Sequence, residues 1–218
     1  MLPLFEQYRP SAWSEVIGQE KAVNKVKTLL DRGIGGRAFW IAGQSGTGKT
    51  TIAKLIGAEI ADVDFVEEID ATDLTPAKLR KVENTMSLFS WGKGGRCYIV
   101  NEAHGLSRPA IRQLLVLLER LPSHAVFIFT TTIEGQELLF EDKEDTSPLL
   151  SRCIKLDLAR RNLCQGFASR AREIADIEGL NGQPIEKYVR LVQDCKNNMR
   201  AVLQAIESGE MLGRTSKI

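Results

Sequence analysis

A complete phosphate-binding loop occupies residues 43–50, which read Gly-Gln-Ser-Gly-Thr-Gly-Lys-Thr. This segment matches the pattern G-x-x-x-x-G-K-[ST] and lies between an apolar strand, residues 38–42, and a helix start, residues 51–55. Its glycines let the backbone curl, so that N–H groups converge on phosphate oxygens at the positive end of a helix dipole. The loop and its setting therefore predict binding of a nucleoside triphosphate.

Two side chains add chemistry to this backbone cradle. Lys49 supplies a point charge to the β- and γ-phosphates, and the hydroxyl of Thr50 reaches a Mg²⁺ ion. The residues of this region that we expect to contact the nucleotide are Gly43, Gln44, Ser45, Gly46, Thr47, Gly48, Lys49, Thr50 and Thr51.

A second apolar strand, residues 96–100, runs into Asn101 and Glu102, where a Walker B element has an Asp-Glu pair. Glu102 is the candidate general base, because a carboxylate at a strand end beside the γ-phosphate can take the proton of attacking water. Asn101 has no negative charge, although its carbonyl oxygen still accepts hydrogen bonds from the waters of the Mg²⁺ ion. A slow or partner-dependent ATPase, an ordinary ATPase and a binding-only subunit all stay open. His104 is interpreted as a helix-entry residue.

Strands and helices alternate around these two elements. Short apolar runs recur at residues 63–69, 97–100, 125–131 and 153–158, with helical patterns between them. Thr75-Pro76 and Ser107-Arg108-Pro109 are typical helix starts. This alternation predicts an α/β fold, a parallel sheet sandwiched by helices.

The pattern becomes purely helical after Leu158. Helical segments are expected at 160–178, 184–194 and 197–208, so we predict an α/β nucleotide-binding domain over 1–158 and a small all-helical domain over 159–218. The acidic stretch 134–145 is predicted to be a solvated loop.

Bulk properties suit a globular protein. The chain has 218 residues, 43% of them hydrophobic, and a formal net charge of +1, so a nucleic-acid partner needs a local basic surface. Four scattered cysteines form no C-x-x-C pair, which predicts reduced and mostly buried thiols. No signal peptide and no run of about 20 apolar residues is present, so we expect a cytoplasmic protein without membrane contact.

Together these motifs resemble the AAA+ ATPase subunits of sliding-clamp loaders, namely the bacterial gamma/tau subunit and the replication factor C small subunits. The resemblance rests on Tyr8-Arg9-Pro10, Val16-Ile17-Gly18-Gln19, the phosphate loop, Asn101-Glu102-Ala103-His104 and Leu150-Ser151-Arg152-Cys153. The Ser-Arg-Cys triplet is the most discriminating of them, because many AAA+ proteins share the others. The resemblance implies an AAA+ core followed by a helical lid.

The resemblance also implies roles for single residues. Arg152 would be an arginine finger that reaches the nucleotide of a neighbouring subunit, where its charge stabilises the transition state. Thr132 would be the first sensor and Arg200, at a helix start, the second. An adenine pocket is implied at Tyr8, Arg9, Pro10, Ile17 and Gly18. Core packing stays an alternative for Tyr8 and Ile17, and an ordinary surface position for Arg152 and Arg200. For Thr132 the alternative is an ordinary threonine at a strand end.

Three features depart from the family pattern. The four-Cys zinc module that usually follows the phosphate loop of bacterial gamma subunits has no counterpart in residues 58–70, and the stretch between Thr132 and Ser151 is long and acidic. The chain also stops at Ile218, just beyond the expected lid. We therefore expect the helical collar domain to be absent, through truncation or in a reduced homologue such as one from a phage or mobile element.

The expected function is that of an ATP-binding subunit of a homo- or hetero-oligomer that loads a sliding clamp on primer-template DNA. ATP and Mg²⁺ would lie at the seam between subunits, and Arg108 and Arg112 would contact DNA phosphates. A solvated helix face is the alternative for these two arginines. Two other functions stay open: a branch-migration or recombination-associated AAA+ motor, and a catalytically weak ATP-binding scaffold, which Asn101 favours.

Overall fold

The computed structural model describes residues 2–141 and 143–213, without the side chains of residues 138–146. The chain divides into two compact units. The α/β unit consists of Lys21–Gln44 and Lys49–Leu158, and the helical unit consists of Met1–Glu20, Ser45–Gly48 and Ala159–Ile218. The tip of the phosphate loop is thus grouped with the helical unit.

The α/β unit is built on a five-stranded parallel sheet with the order β2-β3-β4-β1-β5. Its central strands are buried on both faces, which explains their continuous apolar runs. The predicted α/β fold class is confirmed. The strands are β1 (Arg37–Ala42), β2 (Val66–Asp70), β3 (Arg96–Asn101), β4 (Ala125–Thr131) and β5 (Cys153–Asp157).

Helices connect these strands. The expected caps at Thr75 and Ser107 are present: the Thr75 hydroxyl accepts from the Lys78 N–H, and the Ser107 hydroxyl from the Ala110 N–H. After the short α1 (Leu4–Gln7) of the helical unit, the helices are α2 (Glu20–Leu30), α3 (Lys49–Ile60), α4 (Pro76–Met86), α5 (Arg108–Leu118), α6 (Ile133–Glu141) and α7 (Lys143–Ser151). Short 3₁₀ turns lie at Val63–Phe65, Ala71–Asp73 and Ala103–Gly105.

The prediction of a solvated loop over the acidic stretch 134–145 was wrong. Its described backbone is helical, in α6 and α7. The Thr132 hydroxyl accepts a hydrogen bond of 3.0 Å from the Gly135 N–H, which provides a helix start, and the sequence that follows is rich in Glu, Gln and Leu, which are good helix formers. The high charge of this segment therefore did not predict its backbone conformation.

The helical unit has its own apolar core. It contains α1 (Leu4–Gln7), α8 (Cys164–Ile177), α9 (Ile185–Asp194) and α10 (Met199–Glu207), together with a 3₁₀ turn at Trp13–Glu15. The three longer helices lie within the segments that the apolar periodicity predicted. Phe167, Tyr188 and Val202 are among the buried residues of this core, and the Tyr188 hydroxyl donates to Asn181 Oδ1 at 2.9 Å.

All four cysteines are free thiols. Cys97 is fully buried in β3, and the other three are partly buried. Burial raises the pKa of the Cys153 thiol to about 12, so this thiol is protonated at neutral pH. The sequence predicted mostly buried thiols; one is buried, and the three partly buried ones pack against the apolar cores.

Candidate nucleotide site

The phosphate loop needs glycine at two of its positions. Gly46 has φ +75° and Gly48 has φ +98°, values that side chains with a Cβ rarely adopt. The Gly43 N–H donates to the Thr131 carbonyl at 3.2 Å, which continues the pairing of β1 with β4 for one residue. The loop then turns directly into α3, whose first residues are Lys49 and Thr50. Its backbone N–H groups thus belong to a helix amino terminus, where an anion is stabilised.

The side chain of Lys49 is hydrogen-bonded to the backbone of the phosphate loop. Its Nζ donates to the carbonyl oxygens of Gly43 at 2.9 Å and Gln44 at 3.1 Å, and the residue is buried. The ammonium is thereby placed on the concave side of the loop, where it can exchange carbonyl partners for phosphate oxygens.

The end of β3 brings Asn101 and Glu102 to the same edge of the sheet as the loop, because all five strands are parallel. Glu102 has a left-handed backbone, φ 51° and ψ 50°, at the turn that follows β3. Its side chain is more than half exposed, and its Oε2 lies 3.4 Å from His104 Nδ1. His104 therefore contacts the candidate base in addition to entering the turn Ala103–Gly105.

Asn101 is bonded to both neighbouring strands. The Thr130 hydroxyl on β4 donates to Asn101 Oδ1 at 3.0 Å, and Asn101 Nδ2 donates to Glu68 Oε2 on β2 at 3.4 Å. Thr132 follows β4 at the same edge, and its hydroxyl caps α6. The α/β unit thus gathers Lys49, Thr50, Asn101, Glu102 and Thr132 at one edge of its sheet.

The oxygen donors at this edge fit a magnesium ion. A hydroxyl, a side-chain carbonyl and a carboxylate, from Thr50, Asn101 and Glu102, are hard ligands of the kind that Mg²⁺ or its bound waters prefer. The described part of the chain has no group of three or more His, Cys, Asp or Glu side chains arranged to hold a metal ion. Phosphate oxygens of a bound nucleotide would supply further ligands, as is usual for Mg²⁺ in nucleotide sites.

Arg152 lies at the opposite edge of the sheet. It precedes β5, whose first residue, Cys153, pairs with Ala38, whereas the phosphate loop follows the last pair, Ala42 with Asp157. Five residues of strand separate the two levels by roughly 16 Å. Arg152 pairs with Glu119 and donates from Nη1 to the Pro148 carbonyl at 2.9 Å. Arg152 is therefore directed away from the phosphate loop of its own chain.

The residues of the implied adenine pocket belong to the helical unit. The Tyr8 hydroxyl donates to Glu178 Oε1 at 2.5 Å, and this hydrogen bond raises the pKa of Tyr8. Arg9 pairs with Glu6, and Tyr8 and Ile17 pack against the helical core, while Pro10 is half-buried. Core contacts are thus present for the two residues for which packing was the alternative.

Gly18 is required by its surroundings. Its φ is +70°, and a Cβ at this position would lie 2.0 Å from Leu163 Cδ2. The chain therefore passes directly against Leu163 just before it leaves the helical unit, and a larger residue at position 18 would displace Leu163.

Arg200 is exposed on the first turn of α10, as the predicted helix start requires. Its guanidinium lies 5.3 Å from the centre of the Phe5 ring, which is a cation–π distance. Asn198 caps the same helix by accepting from the Ala201 N–H, and its side chain lies so close to Gly46 that a Cβ there would be 2.0 Å from Asn198 Oδ1. The helix carrying Arg200 therefore begins beside the tip of the phosphate loop.

Gln19 is a residue to which the sequence assigned no role. It is buried, and its amide donates to the carbonyl of Ala159 at 2.7 Å and to that of Thr47 at 3.4 Å. Its Oε1 accepts from the Ala159 N–H at 2.9 Å. This one amide ties the amino-terminal segment, the phosphate loop and the start of the carboxyl-terminal helices together, and only its place after Ile17-Gly18 hinted at a function.

Two further surface features belong to the α/β unit. Arg108 and Arg112 lie on the exposed face of α5, one helical turn apart. The loop 87–91, between α4 and β3, presents an apolar surface that sequence reasoning missed: Leu88, Phe89 and Trp91 are 61%, 75% and 88% exposed.

Comparison with known proteins gives the class first. Thermotoga maritima RuvB has the same fold: one of its point mutants superposes with a TM-score of 0.72 at 22% identity, covering 91% of this chain and 64% of that one. The Thermotoga maritima RuvB Holliday junction branch migration motor gives a TM-score of 0.68 at 21% identity, with the same coverage of 91% and 64%. The TIP49 P-loop domain family matches residues 5–94. The fold is thus the P-loop AAA+ fold.

Comparison of sequences indicates a narrower class of protein than the fold does. The chain is 28% identical over 200 residues to the DNA polymerase III subunit tau of Bacillus subtilis, and 26% identical over 234 residues to that of Escherichia coli, with 81% and 95% of this chain covered. It is 30% identical over 184 residues to the subunit gamma of Buchnera aphidicola, with 73% covered. The chain spans 34%, 35% and 47% of these relatives. The resemblance to AAA+ clamp-loader ATPase subunits is confirmed.

The described residues include no helix with the length and apolar character to cross a bilayer.

Proposed function

We propose that this protein is a cytoplasmic, ATP-binding clamp-loader-type subunit that acts in an oligomer of AAA+ subunits. The observation that carries the proposal is the convergence of Lys49, Thr50 and Glu102 at one edge of the sheet while Arg152 lies at the other. An AAA+ site completed between two subunits needs this separation, because one chain then presents a nucleotide and the next presents an arginine.

The phosphate loop would bind the triphosphate, with Lys49 on the β- and γ-phosphates and Thr50 on Mg²⁺. Bound Mg²⁺ would neutralise charge that develops on the phosphates during cleavage. Glu102 would accept the proton of the attacking water. Because Asn101 is uncharged and already bonded to two strands, hydrolysis would be slow or dependent on partners.

Arg152 would act on the nucleotide of a neighbouring subunit. Within one chain it pairs with Glu119, and both side chains are accessible, so the pair can open at a cost of about 0–1 kcal/mol. In the assembly the guanidinium would exchange this carboxylate for γ-phosphate oxygens and stabilise the transition state. The domain division after Leu158 would then separate the nucleotide core from a helical lid carrying the sensor Arg200.

A ring-shaped sliding clamp is the partner we assign to the apolar loop 87–91. Hydrogen bonds are present in this loop and in the turn that follows it: the Ser90 hydroxyl donates to the Gly95 carbonyl at 2.6 Å and the Lys93 N–H to Asp62 at 2.9 Å. An exposed apolar loop is the kind of surface that inserts into a pocket on another protein. Arg108 and Arg112 would contact the phosphates of primer-template DNA without reading sequence.

Turnover measurements test the shared active site. Glu102→Gln and Arg152→Ala should each lower the ATPase rate in the presence of clamp and primed DNA by about 100-fold. The control is Arg120→Ala, at an exposed arginine next to Glu119 in the sequence, which should leave this rate unchanged. Mixing the two inactive variants should restore part of the activity, because a seam between an intact Glu102 and an intact Arg152 forms. Failure of the mixture to recover would exclude action between subunits.

Clamp capture tests the apolar loop. Leu88→Ser and Trp91→Ser should each weaken clamp binding by about tenfold or more and leave ATP binding unchanged. Val116→Ser, at an exposed apolar position on α5, is the matched control. Equal clamp binding by all three variants would remove the loop from the proposal.

A catalytically weak scaffold is the second candidate, favoured by Asn101. It predicts ATP-dependent assembly with no turnover under any condition, and unchanged assembly in Glu102→Gln. The branch-migration motor is disfavoured by the Ser151-Arg152-Cys153 segment that the clamp-loader resemblance rests on, and DNA translocation without a clamp would revive it.

A further inference from the structure

The amide of Asn101 bridges three strands. β3 lies between β2 and β4, and Asn101 donates from Nδ2 to Glu68 Oε2 on the first and accepts at Oδ1 from the Thr130 hydroxyl on the second. The two ends of one planar amide therefore have different partners on opposite sides. Which end faces which strand is set by what these partners can do.

Glu68 decides the orientation. A carboxylate only accepts hydrogen bonds, so it is compatible with the amide NH₂ and repels the amide oxygen. The Thr130 hydroxyl can donate or accept, and it tolerates either end. With Glu68 in place, Oδ1 of Asn101 is turned toward β4. This strand lies next to β1, and the phosphate loop follows β1.

Glu68 is itself held by the phosphate-loop helix. Its Oε1 lies 2.8 Å from Lys54 Nζ. Lys54 follows Thr50 by four residues on α3, so both project from the same helix face. The Lys54–Glu68 pair is about 40% exposed on each side, and such a pair contributes little to folding. The Lys54–Glu68 pair instead helps to orient the Asn101 amide, because it links the helix of the phosphate loop to this amide at the end of β3.

We propose that Glu68 is a positioning residue for the Mg²⁺–nucleotide complex. It keeps the Asn101 carbonyl directed to the nucleotide side, where the oxygen accepts a hydrogen bond from a metal-bound water. An acid at position 101 would supply both a hydrogen-bond acceptor and a negative charge. In this chain Asn101 on β3 supplies the acceptor, and Glu68 on β2 supplies the negative charge. The inference rests on the nucleotide binding proposed above and assigns a function to a residue outside the motifs.

The test is ATP affinity of the full chain, measured by calorimetry with Mg²⁺ and again with EDTA. Glu68→Gln can face Asn101 with either end of its own amide, so the Asn101 amide is free to turn over. We expect affinity with Mg²⁺ to fall about tenfold and affinity with EDTA to stay unchanged. The matched control is Glu67→Gln, which removes the same charge from the adjacent residue of β2, 4.0 Å from Lys78.

A second variant pair makes the coupling specific. Asn101→Asp alone places two carboxylates against each other, whereas Asn101→Asp with Glu68→Gln restores a donor–acceptor pair with the charge at position 101. The double variant should bind ATP with Mg²⁺ about tenfold more tightly than Asn101→Asp alone. Thermal unfolding without nucleotide checks that each variant is folded.

Equal losses for Glu68→Gln with Mg²⁺ and with EDTA, or equal behaviour of Glu68→Gln and Glu67→Gln, would overturn the positioning role while leaving nucleotide binding intact. A wild-type chain that binds no ATP under either condition would overturn the proposed function and this inference together.

Discussion

The phosphate loop and the end of β3 reach the same edge of the sheet by different means. The loop is shaped by its own backbone: Gly46 and Gly48 have left-handed conformations, and Lys49 donates to carbonyls five and six residues earlier. The end of β3 is shaped by its neighbours, because the amide of Asn101 is bonded to residues 33 positions before it and 29 positions after it.

This difference separates local from non-local information. A loop whose geometry depends on consecutive residues carries its chemistry in a short pattern. A strand end takes its geometry from whichever strands lie beside it, so the meaning of one residue depends on the sheet order. Substitutions in the two regions test this contrast, and the loop should show the largest effect.

Lys49→Ala should have the largest effect. It removes the positive charge from the concave side of the loop, and loss of one charge-assisted contact to phosphate should weaken ATP binding by about 100-fold or more. Calorimetric titration with ATP and Mg²⁺ measures this. Lys81→Ala, on the exposed face of α4, should bind as the wild type does, and equal affinities for the two variants would contradict the assigned role of Lys49.

The same contrast explains what sequence reasoning could find. It predicted the phosphate loop, the parallel sheet and the caps at Thr75 and Ser107, all of which depend on local patterns. It gave no role to Glu68 or Glu119, because nothing near either residue marks its partner, and strand and helix packing alone brings Asn101 and Arg152 to them.

The acidic stretch shows that a local sequence signal can also be misinterpreted. High charge predicted a loop over residues 134–145, but a cap at Thr132 and good helix formers gave helices, so a local signal was present and was outweighed by composition. The prediction that Arg152 acts on a neighbouring subunit came from family resemblance, and only the strand register shows that Arg152 lies at the opposite edge of the sheet from the phosphate loop.

Gly46→Ala should have the next largest effect, and it separates two costs. The substitution places a Cβ at φ +75° and 2.0 Å from Asn198 Oδ1, whereas Gly33→Ala places one at φ +84° with no atom within 4 Å. Gly33→Ala should therefore lower the free energy of unfolding by about 1 kcal/mol and Gly46→Ala by about 2–3 kcal/mol. Denaturant unfolding measures both values.

A companion variant identifies the clash. Asn198→Ala in the Gly46→Ala background removes the atoms nearest to the new Cβ, so part of the difference from Gly33→Ala should return. If Gly46→Ala costs no more than Gly33→Ala, the tip of the loop is governed by its backbone alone and the contact with Asn198 has no energetic weight.

Thr130→Val should have the smallest effect, and it tests the end of β3. Thr130 is buried, valine has nearly the same shape, and the lost hydroxyl leaves Asn101 Oδ1 without this donor, which should cost about 1 kcal/mol of unfolding free energy. Thr28→Val, which removes an exposed helical hydroxyl bonded to the Asn24 carbonyl, should change the free energy of unfolding by less than about 0.5 kcal/mol.

In an Asn101→Ala background the cost of Thr130→Val should largely disappear, because the hydrogen bond that it breaks is already absent. A cost that persists there would mean that Thr130 acts through packing, and the end of β3 would then be less dependent on its neighbouring strands than the hydrogen bonds indicate.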